Sequence, residues 1–279
     1  MTEETEENKK ITTLILSGGG IKGFAIIGAL KALKDLGFLT YIDTVCGSSI
    51  GAIIGTLFLM NIDCEKIFEV LNKIDFKKLS KINFGNFLSK FGLDEGNKFM
   101  IPVKKLFEYA GFSENITLKE FYEKTNKKII ITASCLNDKK CYYLSYETFP
   151  NLELIKALRM SMGVPLYYTV EEYDNKLFID GGCLDNFPIE LYKNDLDKII
   201  GINIDYPDVV VDKIDTIEAY IINLFYLFTK NKKINDIYND KYVTIYINNT
   251  NPIDFNINND KKKELHDIGY DTTIIKFKK

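Results

Sequence analysis

The 279-residue chain holds one histidine, His266, and one arginine, Arg159. A single imidazole excludes most zinc sites and most multi-histidine chemistry. A serine nucleophile would have to find another base, unless His266 serves. The five cysteines (Cys46, Cys64, Cys135, Cys141 and Cys183) form no CxxC pair. An odd number in a chain of this size reads as reduced thiols in an intracellular compartment, not as a disulfide framework. A basic excess is missing too. Lys+Arg number 36 against 39 Asp+Glu, a net charge of −3. That leaves no electrostatic footprint for nucleic acid. The scarcity of arginine beside many lysines reads as compositional bias.

The first ten residues, MTEETEENKK, lack the basic start and apolar run of a secretory signal, and read as a short disordered acidic tail over 1–10. Only Thr44 to Ile62 resembles a membrane span, being uncharged with Gly47, Gly51 and Gly55 at GxxxG spacing. Its Ser48, Ser49 and Thr56, and the flanking Asp43 and Asp63, fit a strand followed by a buried helix better. The expected location is therefore intracellular: cytoplasmic or peripheral to membranes, with no transmembrane helix.

Hydrophobic residues make up 46% and charged residues 27%, which suits a soluble globular domain. Short apolar runs alternate with helical periodicity. Strands are expected at Ile11–Ser17, Ile42–Cys46, Ile129–Leu136, Cys141–Tyr146, Leu177–Ile179, Ile199–Ile204 and Tyr242–Ile247. Helices are expected at Ile21–Leu36, Ile50–Met60, Leu152–Met162, Thr216–Lys230 and Lys261–Ile268, the last ended by Gly269. Thr117 to Glu120 reads as a capping box. Strand–helix alternation with continuous apolar strands predicts an α/β fold around a mostly parallel sheet. Asp63 to Ala110 is helical but irregular. Its Phe76, Phe84, Phe87, Leu88 and Phe91 fit either a cap over a crevice that meets lipid or an ordinary core layer.

Three glycine-rich corners carry possible chemistry. Gly18-Gly19-Gly20-Ile21-Lys22-Gly23 follows a strand and opens a helix, so its backbone N–H groups can hold a pyrophosphate or an oxyanion. Gly47-Ser48-Ser49-Ile50-Gly51 is a GxSxG turn that would expose the Ser49 hydroxyl, with Ser48 as a capping hydroxyl. Asp180-Gly181-Gly182 closes a short strand, as a turn or as a functional carboxylate. Ligands of open α/β sheets bind beyond the carboxyl ends of strands, so the three corners are expected to converge there.

In that order, GGGIKG, GSSIG and DGG resemble the patatin-like phospholipase family. The likeness runs from about Leu14 to Leu191 and includes ALRMSMGVP (157–165) and DGGCLDNFP (180–188). The resemblance implies a three-layer α/β core with a mostly parallel sheet, over 14–191; beyond it, 207–279 reads as a C-terminal extension packed on the core. It implies a lipid acyl hydrolase that needs no cofactor or metal. Ser49 would be the nucleophile, Asp180 the base, and the Gly18, Gly19 and Gly20 backbone the oxyanion hole. Gly23, Gly47, Gly51, Gly181 and Gly182 complete the motifs. Lys22 matches a basic position of the family, with a solvated charge as the plain alternative. The implied partner is a phospholipid or other acyl lipid, met through transient contact with a membrane surface.

Other readings compete. Ser49, Asp180 and His266 follow the chain order of a Ser–acid–His α/β-hydrolase, although His266 sits in the charged stretch KKKELHDIGY and reads as exposed. GxGxxG with Asp43 fits a dinucleotide site, except that Asp43 starts its strand instead of ending it. A non-catalytic lipid-binding protein is the third. Arg159 reads as a structural ion pair and the Cys183 thiol as buried packing.

Overall fold

The computed structural model describes residues 10–79, 81–205, 213–229, 234–248, 250 and 256–278. The expected tail lies outside these residues except for Lys10, as does half of the Asn-rich stretch from 248 to 259. Ten strands are described: β1 (Thr13–Leu16), β2 (Thr44–Gly47), β3 (Gly92–Asp94), β4 (Lys128–Cys135), β5 (Lys140–Leu144), β6 (Leu166–Tyr168), β7 (Glu171–Tyr173), β8 (Lys176–Asp180), β9 (Ile199–Asp205) and β10 (Tyr242–Tyr246). The helices are α1 (Gly23–Asp35), α2 (Ser49–Leu59), α3 (Cys64–Asn72), α4 (Phe76–Leu79), α5 (Phe84–Lys90), α6 (Asn97–Tyr109), α7 (Leu118–Thr125), α8 (Leu154–Ser161), α9 (Gly182–Asp185), α10 (Ile217–Thr229) and α11 (Asn259–Phe277).

The central sheet runs β10-β9-β1-β2-β4-β8-β7, with β5 also on β4. From β10 to β4 all neighbours are parallel. Strands β1, β2 and β9 are almost wholly buried because both faces are covered. Period two assigns the faces: Leu14 and Leu16 enter the large core beneath α1, α2 and α8, while Ile15 meets a small cluster with Phe187, Ile189, Ile199 and Tyr238. Over Ile15 that face is covered in part by 3-10 turns at Ile189–Tyr192 and Asp236–Tyr238. No helix among the described residues is long and apolar enough to cross a membrane.

Two expectations are corrected. Strands β5 and β8 run antiparallel to β4, so Asp180 does not lie at the carboxyl edge of a parallel strand. It reaches that edge differently. Gly47 pairs with Ile131, but the eight-residue β4 continues past it, and Asp180 pairs with Ala133 two residues further on. Strand β8 arrives from beyond the edge and ends level with the serine turn. Helix α11 also runs straight through Gly269 to Phe277. There Gly269 is a contact: a Cβ would stand 2.0 Å from the Ala25 carbonyl oxygen of α1, and one at Gly28 would stand 1.9 Å from that of His266. The capping box is present as expected, with Glu120 N–H donating to Thr117 Oγ1 at 3.2 Å and Thr117 N–H to the Glu120 carboxylate at 2.8 Å.

Candidate active site

Chain reversal between β2 and α2 puts Ser49 at the first position of α2 with φ +49°, a left-handed conformation unusual for a residue with a Cβ. The turn is tight enough that a Cβ on Gly51 would sit 2.4 Å from the Ser17 carbonyl oxygen. Gly47 and Gly23 are equally confined, against the Ala52 backbone and Ile50 respectively. Ser48 is not the cap the sequence suggested. It occupies the N-cap position, yet its hydroxyl makes no capping bond and is buried without a protein partner. The Ser49 N–H donates instead to the Ser161 hydroxyl of α8, at 2.8 Å.

The Ser49 hydroxyl is near enough to the Asp180 carboxylate to favour its charged form. Asp180 is 2% exposed. Burial pushes its carboxyl up to about 7, against the pull of the Gly182 N–H, the Ser49 hydroxyl and the Arg159 charge. The Gly182 N–H donates to Asp180 Oδ1 at 2.7 Å. Gly181 lies flush on Thr132 of β4, with no space for a side chain. So the elbow and the third corner meet, joined across α2, α8 and β8.

The glycine loop borders the same point. A Cβ on Gly18 would be 3.2 Å from that of Ser49. The Gly18 N–H is already donated to the Asn186 carbonyl at 3.2 Å. Among the described residues, the N–H groups of Gly19 and Gly20 donate to no protein acceptor. Gly20 takes φ +57°. Lys22 is not the solvated charge considered above. It is 1% exposed, its Nζ donates to the Ile247 carbonyl at 3.3 Å beyond β10, and burial depresses its pKa to about 7 despite Asp205 nearby. It fastens the loop to the far side of the sheet.

Above Ser49 lies an apolar cleft. Its floor is Gly20, Ile21 and Ser49, one wall is Ile50, Ile53 and Ile54 of α2, and the roof is Leu71, Phe76, Phe99, Pro102 and Val103. Met162, Val164 and Tyr168 close the remaining side. Of the two readings for 63–110, each holds in part: Phe76 lines the cleft and belongs to the main core, whereas Phe84, Phe87, Leu88 and Phe91 do not line the cleft.

His266 goes elsewhere. It is half-buried on α11, tilted at 55° against Phe68 with ring centroids 4.6 Å apart, and Nδ1 is 3.1 Å from Asp267. Asp43 lies at the amino end of β2, its carboxylate bonded to the Thr44 hydroxyl at 2.8 Å. Arg159 is buried: its Nε donates to the Glu95 carbonyl at 2.9 Å and it pairs with Glu171 at 3.6 Å. The Cys183 thiol is held well above its usual range by burial, and none of the five cysteines is in a disulfide. Ser161 and Asn186 gained no role in the sequence, although both stand inside the stretches ALRMSMGVP and DGGCLDNFP. Their partners, Ser49 and Gly18, are distant in the chain.

Fold and site together define a class: a layered α/β protein with a strained serine elbow beneath an apolar cleft. Comparison with known sequences agrees. The profile described as patatin-like phospholipase matches residues 14–192, and the chain belongs to this family of lipid hydrolases. Uncharacterized protein R571 of Acanthamoeba polyphaga mimivirus is 29% identical, over 96% of this chain and 94% of that one. Probable lipid hydrolase 463L of Invertebrate iridescent virus 6 is 33% identical, over 66% of this chain and 63% of its own length. The crystal structure of VipD from Legionella pneumophila shares the fold with a TM-score of 0.57 at 16% identity, covering 96% of this chain and 66% of VipD. This chain therefore spans less than two thirds of the last two.

Proposed function

We propose that the chain is a phospholipase A-type acyl hydrolase that works through a Ser49–Asp180 dyad and an acyl-enzyme. The observation that carries this is Ser49 on a strained turn, lining an apolar cleft beside the buried Asp180 carboxylate, which its hydroxyl influences. The cleft suits an acyl chain, and the hydroxyl stands where the ester carbonyl of that chain would come to rest. In the first step Ser49 Oγ bonds to the carbonyl carbon while its proton passes to Asp180. A carboxyl raised to about 7 is a far better base than one in water. The Gly19 and Gly20 N–H groups receive the oxyanion. The intermediate collapses, and the leaving alcohol takes the proton from Asp180. Water then repeats the route on the Ser49 ester and frees the fatty acid. In this reading 14–191 holds the chemistry and 207–279 braces it.

The test is fatty acid release from phospholipid vesicles by wild type, Ser49→Ala and His266→Ala. Ser49→Ala should lose activity about a thousandfold or more. His266→Ala should stay near wild type. An active Ser49→Ala, or a folded but inactive His266→Ala, would overturn the dyad.

A further inference from the structure

Helix α5 has no buried residue. Phe84 is 68% exposed, Leu88 85% and Phe91 56%. Three such side chains side by side on one seven-residue helix and its C-cap form a patch, not the scattered exposure normal for a surface. The helix is nevertheless held on a built stem. Strand β3 below it is buried and pairs with β6. The buried Asp94 carboxylate accepts the N–H groups of Lys81 and Gly96, the latter at 2.7 Å, clamping both ends of the excursion. Asn83 N–H donates to the Leu93 carbonyl at 2.7 Å, and its side chain caps α5 through Gly85 N–H at 2.9 Å. Arg159 fixes the base through the Glu95 carbonyl. A floppy loop would let its apolar residues fold inward; this stem holds them out.

The patch lies in a lysine-rich stretch of the chain. Between positions 73 and 98 there are six lysines and three acids, in a chain whose net charge is −3. One of the three acids, Asp94, is spent inside the stem. Lys77 and Lys81 are exposed and make no ion pair among the described residues. The stem also sits between the parts that roof the cleft. Phe76 of α4 precedes it, Phe99 of α6 follows it, and Tyr168 of β6 flanks it.

We propose that α5 is a docking tip for an anionic lipid surface, with its apolar side chains in the acyl region and the lysines at the headgroups. The lysines choose the occupant, because a second copy of the same tip would bring like charges together, whereas an anionic bilayer neutralises them. Docking there places the cleft roof against the bilayer, where a lipid can pass from the membrane to Ser49 without crossing water. The inference rests on the acyl-hydrolase reading for its purpose, but not for its test.

Binding is measured on the full chain carrying Ser49→Ala, by sedimentation with phosphatidylcholine vesicles and with mixed phosphatidylcholine–phosphatidylserine vesicles. Mixed vesicles should bind more protein. Adding Phe84→Glu and Leu88→Glu should weaken that binding about tenfold or more. Adding Lys77→Glu and Lys81→Glu instead should abolish the preference for mixed vesicles. In the otherwise wild-type chain, Phe84→Glu with Leu88→Glu should cut vesicle hydrolysis while hydrolysis of a short soluble ester stays unchanged. Vesicle binding indifferent to both pairs would overturn the proposal, as would parallel loss on the soluble ester. Soluble-ester hydrolysis by a wild type that binds no vesicle would refute the docking tip and leave the acyl-hydrolase reading standing. Vesicle binding that depends on α5, without hydrolysis of any ester, would do the reverse.

Discussion

Ser49 and Asp180 are each held in a state that a free residue avoids, one by backbone conformation and the other by burial. The cost of the second is readable in pH. In water an aspartic acid ionises near 3.8; here the carboxyl is raised to about 7. An acid raised by folding stabilises the fold fully below its unfolded pKa, and that contribution is lost as pH rises through the folded one. Above about pH 7 the protein must keep a desolvated carboxylate, which is also the form that can take a proton from Ser49. Activity should therefore climb with pH and level off above about 7, seen in kcat/KM on a soluble ester. Asp180→Asn should be inactive yet melt at a higher temperature than wild type at about pH 8, and the gain should fade toward about pH 4. Thermal unfolding at the two pH values decides it; a gain independent of pH would place its origin elsewhere.

At the scale of elements, α1 and α11 show how one residue type carries two meanings. A glycine after a run of helical residues reads as a stop, because only glycine enters the left-handed cap freely. Gly269 stays helical, since α1 comes so close that a side chain there would strike the Ala25 carbonyl. Gly28 does the same from the other side. Gly269→Val should cost about 2 kcal/mol or more, by overpacking a contact with no space to give. Urea unfolding would show it, against Lys263→Ala on the exposed face of α11 as reference. Equal midpoints for the two variants would mean that the helices part easily. The stop signal was misread for a physical reason: helix–helix contact depends on a partner far away in the chain, and periodicity within one helix carries no trace of it.

Across the whole molecule, burial is uneven. Strands β1, β2 and β9 are almost wholly enclosed, whereas α4 keeps one buried residue and α5 none. Local opening follows such differences. Amide hydrogen exchange should thus be fastest across 76–91 and slowest in the three central strands; uniform protection would argue against a roof that can open over Ser49. The same contrast explains why 63–110 was hard to read. Phe76 faces the cleft and Phe84 the solvent, eight residues apart and with the same chemistry. Hydropathy ranks them alike, and only the surrounding layers separate them.

The sequence by itself determined the strand–turn–helix corners and the apolar strands, while the pairing of Ser49 with Asp180 came from the order of motifs shared with the family. The corners and strands follow from local rules: glycines where backbones crowd, β-branched runs where both faces are covered, a serine between glycines on a sharp turn. The tertiary structure decided that the corners meet, and by a route the local rules did not contain. Asp180 arrives on an antiparallel strand that ends beside Ser49 because β4 runs four residues past its last pairing with β2, and Asp180 pairs two residues along that overhang. It also decided that Lys22 is buried and that Ser161 holds the Ser49 amide. Register, burial and hydrogen bonds between distant residues are properties of packed neighbours, so they exist only once the chain has closed on itself.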